Sequence, residues 1–217
     1  MSASSGVPRI AVLDYGMGNL HSVSKALERA GGMVELVSDG RALTGYDGMV
    51  LPGVGHFGDG IEQLRARGME EAVGEWIVGG RPFLGICLGM QMLMEESEEA
   101  AGVRGLGVCR GRVKRFAPRD QSMKVPQMGW NRVCGREGCP LFNGIAEGSY
   151  FYFVHSYYVA PAEAEVVGGE TEYDVKYCSV LWRGEMYATQ FHPEKSQRAG
   201  LRMLENFVAR VRAWSGR

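Results

Sequence analysis

The chain has 217 residues, ample for one domain and short for two full ones. Its 24 Lys and Arg stand against 25 Asp and Glu, a net charge of −1 without the basic excess of a protein that lives on phosphate contacts, so no nucleic-acid partner is expected. Hydrophobic residues at 45% and charged residues at 23% are globular and not disordered proportions, and no stretch approaches the roughly 18 apolar residues of a membrane span.

Thirty-two glycines, about 15% of the chain and roughly twice the usual share, carry no collagen-like period. They are expected at tight turns and close backbone approaches. Met1 to Arg9 lacks the apolar core of a secretory signal and is expected to be disordered, with a single domain over residues 10–217. Five cysteines (Cys87, Cys109, Cys134, Cys139, Cys178) cannot all pair, which points to free thiols and a cytoplasmic setting. Cys134 and Cys139 lack two further ligands at metal spacing, so no metal is expected.

In chain order, Ile10 to Asp14 reads as a buried strand running into the glycine turn Tyr15-Gly-Met-Gly18. Asn19 caps a helix whose apolar stripe is Leu20, Val23, Ala26, Leu27 and Ala30, stopped by Gly31-Gly32. Strands follow at Met33 to Val37 and Gly48 to Leu51. A helix is expected over Ile61 to Val78, interrupted near Gly68, then a strand at Pro82 to Ile86 and a helix from Leu88 to Glu96. This alternation predicts an α/β fold, a mostly parallel sheet with helices on both faces. The second half changes character. Arg112–Ala117, Trp130–Cys134, Tyr150–Ala160, Glu165–Thr171, Val175–Arg183 and Glu185–Phe191 read as strands with short turns, antiparallel additions to the sheet. A last helix carries Leu201, Leu204, Phe207, Val208 and Val211 on its apolar face.

The segment Gly85-Ile-Cys-Leu-Gly89 is a G-x-S-x-G elbow with cysteine in place of serine. A sharp strand-to-helix turn would lift the Cys87 sulfur to the carboxyl edge of the sheet, where open α/β folds bind ligands. A helix start behind it would favour the sulfur anion. Of the four histidines, His192 alone follows an apolar strand directly, in Gln190-Phe-His-Pro-Glu194, and Glu194 can reach back to orient its ring. His21, His56 and His155 read as surface or core residues. Pro52-Gly-Val-Gly55 ends another strand and can aim the Val54 amide at a reacting carbonyl, with the Leu88 amide as second donor. The same loop matches G-x-G-x-x-G over Gly53 to Gly58, but the ribose-binding acid is missing one strand later. His192-Pro-Glu194 mimics the H-x-E of zinc deaminases, yet no P-C-x-x-C follows.

Taken together, Asp14-Tyr-Gly-Met-Gly-Asn-Leu20, Leu51-Pro-Gly-Val-Gly55, Gly85-Ile-Cys-Leu-Gly-Met-Gln91, Met128-Gly-Trp-Asn131, Tyr152-Phe-Val-His-Ser-Tyr157 and Thr189-Gln-Phe-His-Pro-Glu-Lys-Ser196 resemble the triad-type, class I glutamine amidotransferases. More narrowly they resemble the glutaminase subunits of imidazole glycerol phosphate synthase, over essentially the whole chain. The resemblance implies a flavodoxin-like three-layer fold, with Cys87 as nucleophile, His192 as base and acid, and Glu194 as its orienter. It implies that Gly53, Gly55, Gln91, Glu99 and the backbone at Ser156 and Tyr157 hold glutamine. Asn19, Trp130 and Lys195 fall where the family meets a (β/α)8-barrel cyclase in a heterodimer that channels ammonia. No cofactor is implied. Gln127 departs from the family's usual His before Met-Gly-Trp, which bears on the local partner contact. A subunit serving anthranilate or carbamoyl phosphate synthesis, and a free-standing γ-glutamyl hydrolase, would share the triad.

Overall fold

The apolar run from Ile10 supplies four of the five residues of β1 (Arg9–Leu13), and all four are buried. Strand alternation sends Ala11 and Leu13 to one face and Ile10 and Val12 to the other, each pair joining a different core cluster. That is why the strand reads as unbroken hydrophobicity: it is covered on both sides. The computed structural model describes residues 6–120 and 122–214.

Around β1 the sheet grows by parallel pairing. β2 (Met33–Val37) and β3 (Gly48–Gly53) flank it, β4 (Phe83–Cys87) pairs with β3, and β13 (Met186–Thr189) pairs with β4. Helix α1 (Leu20–Arg29) and the last helix, α5 (Gln197–Ala213), cover one face with Val23, Leu27, Leu204, Phe207 and Val211. Helices α2 (Phe57–Ala66) and α3 (Met69–Val78) cover the other with Ile61, Leu64, Val73 and Trp76. They are separate helices because Gly68 between them takes φ +62°, which ends one and starts the next.

Beyond β13 the pairing turns antiparallel, as expected of the second half. β12 (Val175–Arg183) pairs with β13, β10 (Tyr157–Pro161) with β12, and β6 (Gly111–Arg115) with β10; the short β5 (Glu96–Ser97) closes the edge in parallel with β6. β11 (Val167–Tyr173) lies against β12 and against β8 (Cys134–Gly135). β7 (Gln127–Arg132) and β9 (Tyr150–His155) form a two-stranded ribbon of their own.

Several expected boundaries move. The expected strand Tyr150–Ala160 is two strands in two sheets, divided at Ser156. The Trp130–Cys134 strand likewise divides between β7 and β8. The helix expected over Leu88–Glu96 is a single turn, α4 (Leu88–Gln91). Its continuation is lost because the carbonyls of Met92, Leu93 and Met94 accept from Leu106, Cys109 and Gly107 instead. Tertiary hydrogen bonds there replace helical ones. Order also begins earlier than expected. Arg9 belongs to β1 and donates its N–H to Asp47 Oδ2 at 2.7 Å, and the Pro8 carbonyl accepts from Met33. Met1 to Ser5 of the expected disordered extension lie outside the described residues.

Candidate active site

Three parallel strand ends meet at one edge of the sheet. In the ladder Gly53 of β3 stands opposite Cys87 of β4, and Ile86 of β4 opposite Thr189 of β13. The glycine loop, the thiol and the segment leading to His192 are thereby neighbours, although the thiol and the imidazole are more than a hundred residues apart. This is the carboxyl edge the elbow motif predicted.

Cys87 sits there with φ +54° and ψ −107°, between the end of β4 and the start of α4. A side-chain-bearing residue in this region costs on the order of 1–3 kcal/mol and persists only where the surroundings enforce it. The enforcement is visible at Gly89, where a Cβ would stand 2.0 Å from the Leu51 carbonyl oxygen. Only glycine lets the first turn of α4 press against β3. Since α4 has one turn, its contribution at the sulfur is its free N–H groups more than a long helix dipole.

His192 Nδ1 lies 2.8 Å from Glu194 Oε1, and both side chains are almost wholly buried, at 2% and 1% exposure. With Glu194 accepting, Nδ1 carries the proton and Nε2 is free for chemistry; Nε2 is buried and makes no hydrogen bond within the protein. Burial works against the imidazolium. Interaction with the Cys87 sulfur and the Glu194 carboxylate overrides it, so the His192 pKa is held well above the usual imidazole range. The ring is further fixed through its backbone: the His192 N–H donates to Tyr152 O, and the buried Ser196 hydroxyl donates to His192 O at 2.6 Å.

Val54, Gly55, Cys87, Leu88, Gln91, Glu99, Ser156, Tyr157 and His192 line one cavity of about 270 Å³, so nearly all the residues picked out from sequence come together. Gly53 does not line it but abuts Cys87 through the ladder. The buried Tyr15 hydroxyl donates to Pro52 O at 2.7 Å and pins the strand end just before the loop, while Gly55, at φ +103°, lets the chain turn out of it. Glu99 Oε2 accepts from the Phe57 N–H, and His56 Nε2 lies 3.1 Å from Glu99 O, tying the exit of the loop to the far wall. A larger groove of about 550 Å³, between α1 and α5, is lined by His21, Ser22, Lys25, Arg29, Glu194 and Arg198, and the thiol does not open into it.

Pro126, Val154 and His155 also line the cavity and were not expected there. His155 reads from sequence as a core residue, and it is one: its ring is buried at about pKa 4, lowered by burial against the raising effect of the Tyr157 carbonyl, with His192 adding to the fall. Its role was invisible because Ser156 splits the strand only in three dimensions. Gln190 was also passed over as a site residue; its amide nitrogen lies 3.8 Å from Cys87 Sγ.

The residues expected at a partner surface lie outside the cavity. Asn19 caps α1, its Oδ1 accepting from Ser22 N. Lys195 is exposed, and Trp130 is 46% exposed on β7. Met128 and Tyr150 are exposed on the same ribbon, whose Val154 and His155 form a cavity wall, and Val54 is exposed at the loop. Gln127 does not join them. It is buried, its Oε1 accepting from the Tyr177 hydroxyl at 3.0 Å, so its departure from the family's usual residue changes the interior and not this surface.

All five cysteines are free, and burial pushes Cys109 and Cys139 up to about 11. No group of three or more His, Cys, Asp or Glu able to hold a metal ion occurs among the described residues, and no helix there is long and apolar enough to cross a membrane.

A family model described as glutamine amidotransferase class-I matches residues 11–211. An imidazole glycerol phosphate synthase subunit HisH of Moorella thermoacetica is 49% identical over 203 residues, covering 94% of this chain and 95% of that protein. The subunit of the same name from Syntrophotalea carbinolica is 47% identical, covering 91% and 98%. Among solved structures, one described as a glutamine amidotransferase superposes with a TM-score of 0.73 at 21% identity, over 96% of this chain and all of the other. PurLQS from Thermotoga maritima gives 0.75 at 19%, over 94% and 99%. At such identities these two speak for the fold alone. The buried Cys-His-Glu constellation on this sheet and the near-half identity over nine-tenths of the chain lead to one conclusion: the chain belongs to the class-I glutamine amidotransferases, and within them to the HisH family of imidazole glycerol phosphate synthase subunits.

Proposed function

We propose that residues 10–217 act as one glutaminase domain whose reaction is carried by Cys87, His192 and Glu194. The observation that carries this reading is a strained, edge-placed thiol sharing one cavity with His192, whose ring is held from behind by the buried Glu194 carboxylate.

His192 carries a proton on Nε2, held there beside the Cys87 sulfur. Sγ attacks the side-chain carboxamide carbon of glutamine, forming the C–S bond and moving the carbonyl electrons onto oxygen. The Val54 and Leu88 amides receive that oxyanion, each donor lowering the barrier by roughly 3 kcal/mol in a water-poor site. His192 Nε2 gives its proton to the departing nitrogen, the C–N bond breaks, and ammonia leaves a glutamyl thioester. Nε2 then takes a proton from water, whose oxygen adds to the thioester carbon. Collapse breaks the C–S bond and yields glutamate and the starting sulfur. Glu194 holds Nδ1–H throughout, so that the ring always presents Nε2.

The ammonia is consumed elsewhere. The exposed apolar ribbon side chains beside the cavity suit a docked protein. We take that partner to be the (β/α)8-barrel cyclase subunit, in a heterodimer that makes imidazole glycerol phosphate and an aminoimidazole carboxamide ribotide in histidine biosynthesis, with Asn19, Trp130 and Lys195 at the contact. The free cysteines, one of them exposed, fit a reducing cytoplasm.

Ammonia release from glutamine, measured with and without the cyclase and its nucleotide ligand, tests this. The chain alone turns over slowly and the complex is accelerated, because the glycine loop is set by docking. Cys87→Ala abolishes release in both; residual activity at the wild-type level would assign the chemistry to another residue. Equal turnover without the cyclase would favour a free-standing γ-glutamyl hydrolase.

A further inference from the structure

A glutamine with no exposed surface needs partners for every polar atom it buries. Gln190, at 0% exposure, directly follows β13 and lies two residues before His192. Its backbone is fixed by a 2.9 Å hydrogen bond from its N–H to Ser179 O. Its side chain spans two groups of the site: Oε1 lies 3.2 Å from Gln91 Nε2, and Nε2 lies 3.8 Å from Cys87 Sγ.

The direction of this chain follows from one backbone group. The Tyr157 carbonyl can only accept, and Gln91 meets it at 3.0 Å, so the Gln91 atom there is the nitrogen. The same nitrogen faces Gln190, which must therefore present its oxygen. Gln190 is then left with its N–H₂ toward the sulfur and no freedom to turn. The Gln91 nitrogen has spent both hydrogens, one on Tyr157 O and one on Gln190 Oε1, so Gln91 can offer a ligand only its carbonyl oxygen. The carbonyl that sets this order is held from the other side by His155 Nδ1 at 2.7 Å.

We propose that Gln190 is a further residue of the active site, donating an N–H to the Cys87 sulfur anion while locking Gln91 as a pure acceptor for the N–H groups of glutamine. An amide donor favours the anion over the neutral thiol and restrains the sulfur beside the oxyanion donors. The acceptor locked at Gln91 selects a ligand that brings N–H groups there. Nucleophile and substrate contact are thereby wired to a single side chain. This rests on Cys87 being the nucleophile.

Two variants separate the two halves of the proposal. Gln190→Met keeps the length and apolar bulk and removes both hydrogen bonds. Gln190→Glu keeps an acceptor for Gln91 and turns a carboxylate oxygen toward the sulfur. Folding of each is checked by thermal melting. Modification of Cys87 by iodoacetamide is followed across pH by peptide mass spectrometry, which separates it from the exposed Cys134. The pH midpoint of modification moves up by about half a unit to one unit in Gln190→Met, three- to tenfold in the equilibrium, and further in Gln190→Glu. In the complex with the cyclase subunit, the KM for glutamine rises in Gln190→Met and holds near wild type in Gln190→Glu, while kcat falls in both. Wild-type midpoints in both folded variants would overturn the donor role, and an unchanged KM in Gln190→Met would overturn the locking role. Wild-type protein that keeps releasing ammonia after Cys87 is modified would instead refute the nucleophile assignment, a result distinguishable from either.

Discussion

The Cys87 sulfur and the Glu194 carboxylate together hold a proton on His192, and Glu194 is what makes that arrangement directional. Its carboxylate sits 2.8 Å from Nδ1 with almost no solvent access, so nothing else can hold the Nδ1 proton. Glu194→Gln keeps the shape but can turn an N–H toward Nδ1, favouring the tautomer with its proton on Nε2 and withdrawing the support for the imidazolium. Steady-state glutaminase assays should show kcat down by about 10²-fold or more with KM for glutamine little changed, the signature of an interaction made in the transition state. A loss confined to KM would mean that Glu194 serves binding. At this scale the sequence was readable wherever chemistry requires a residue type in a fixed local frame: a thiol between two glycines, an imidazole two residues from a carboxylate. Gln190 and Tyr15 escaped because a buried amide and a buried hydroxyl act here through groups distant in sequence, Gln91 and Pro52.

Between elements, the site depends on how closely α4 approaches β3. The Gly89 Cα faces the Leu51 carbonyl at a distance that excludes a methyl group. Gly89→Ala should therefore destabilise by about 2–3 kcal/mol or force α4 outward, read as a lowered midpoint in urea unfolding together with loss of glutaminase activity. Unchanged stability and activity would show that the turn has slack the structure does not suggest. The parallel strands were legible because burial on both faces leaves uninterrupted apolar runs. The one-turn length of α4 was not, since the 88–96 segment has a helical composition and loses its helix to hydrogen bonds from residues 106–109. The split at Ser156 was equally hidden: β9 and β10 have similar aromatic character, and only their partners, β7 for one and β6 with β12 for the other, divide them.

For the molecule as a whole, two buried histidines pull stability in opposite directions with pH. His155 has a folded-state pKa of about 4, below its unfolded value near 6.5, so protonation favours unfolding. Its effect is absent above about pH 6.5 and grows as pH falls to about 4, a loss of about 3 kcal/mol over that range. His192 is raised on folding, so its contribution is complete below about pH 6.5 and is lost as pH climbs through the raised value. Urea unfolding as a function of pH should thus show a maximum near neutrality. In His155→Asn, which can still donate to the Tyr157 carbonyl, the acid limb should flatten whatever the overall stability. An acid limb as steep as wild type would place the titrating group elsewhere.

The sequence by itself determined the layered α/β fold, the turn that places Cys87 at the sheet edge, the His192–Glu194 pair and the family, because each is written in residues close together along the chain. Only the tertiary structure decided that the ends of β3, β4 and β13 converge on one cavity, that Gln127 points inward, and that the amides of Gln91 and Gln190 are oriented by the Tyr157 carbonyl. Those outcomes depend on which distant strands pair and which buried polar atoms must satisfy one another, and neither leaves a local pattern in the chain.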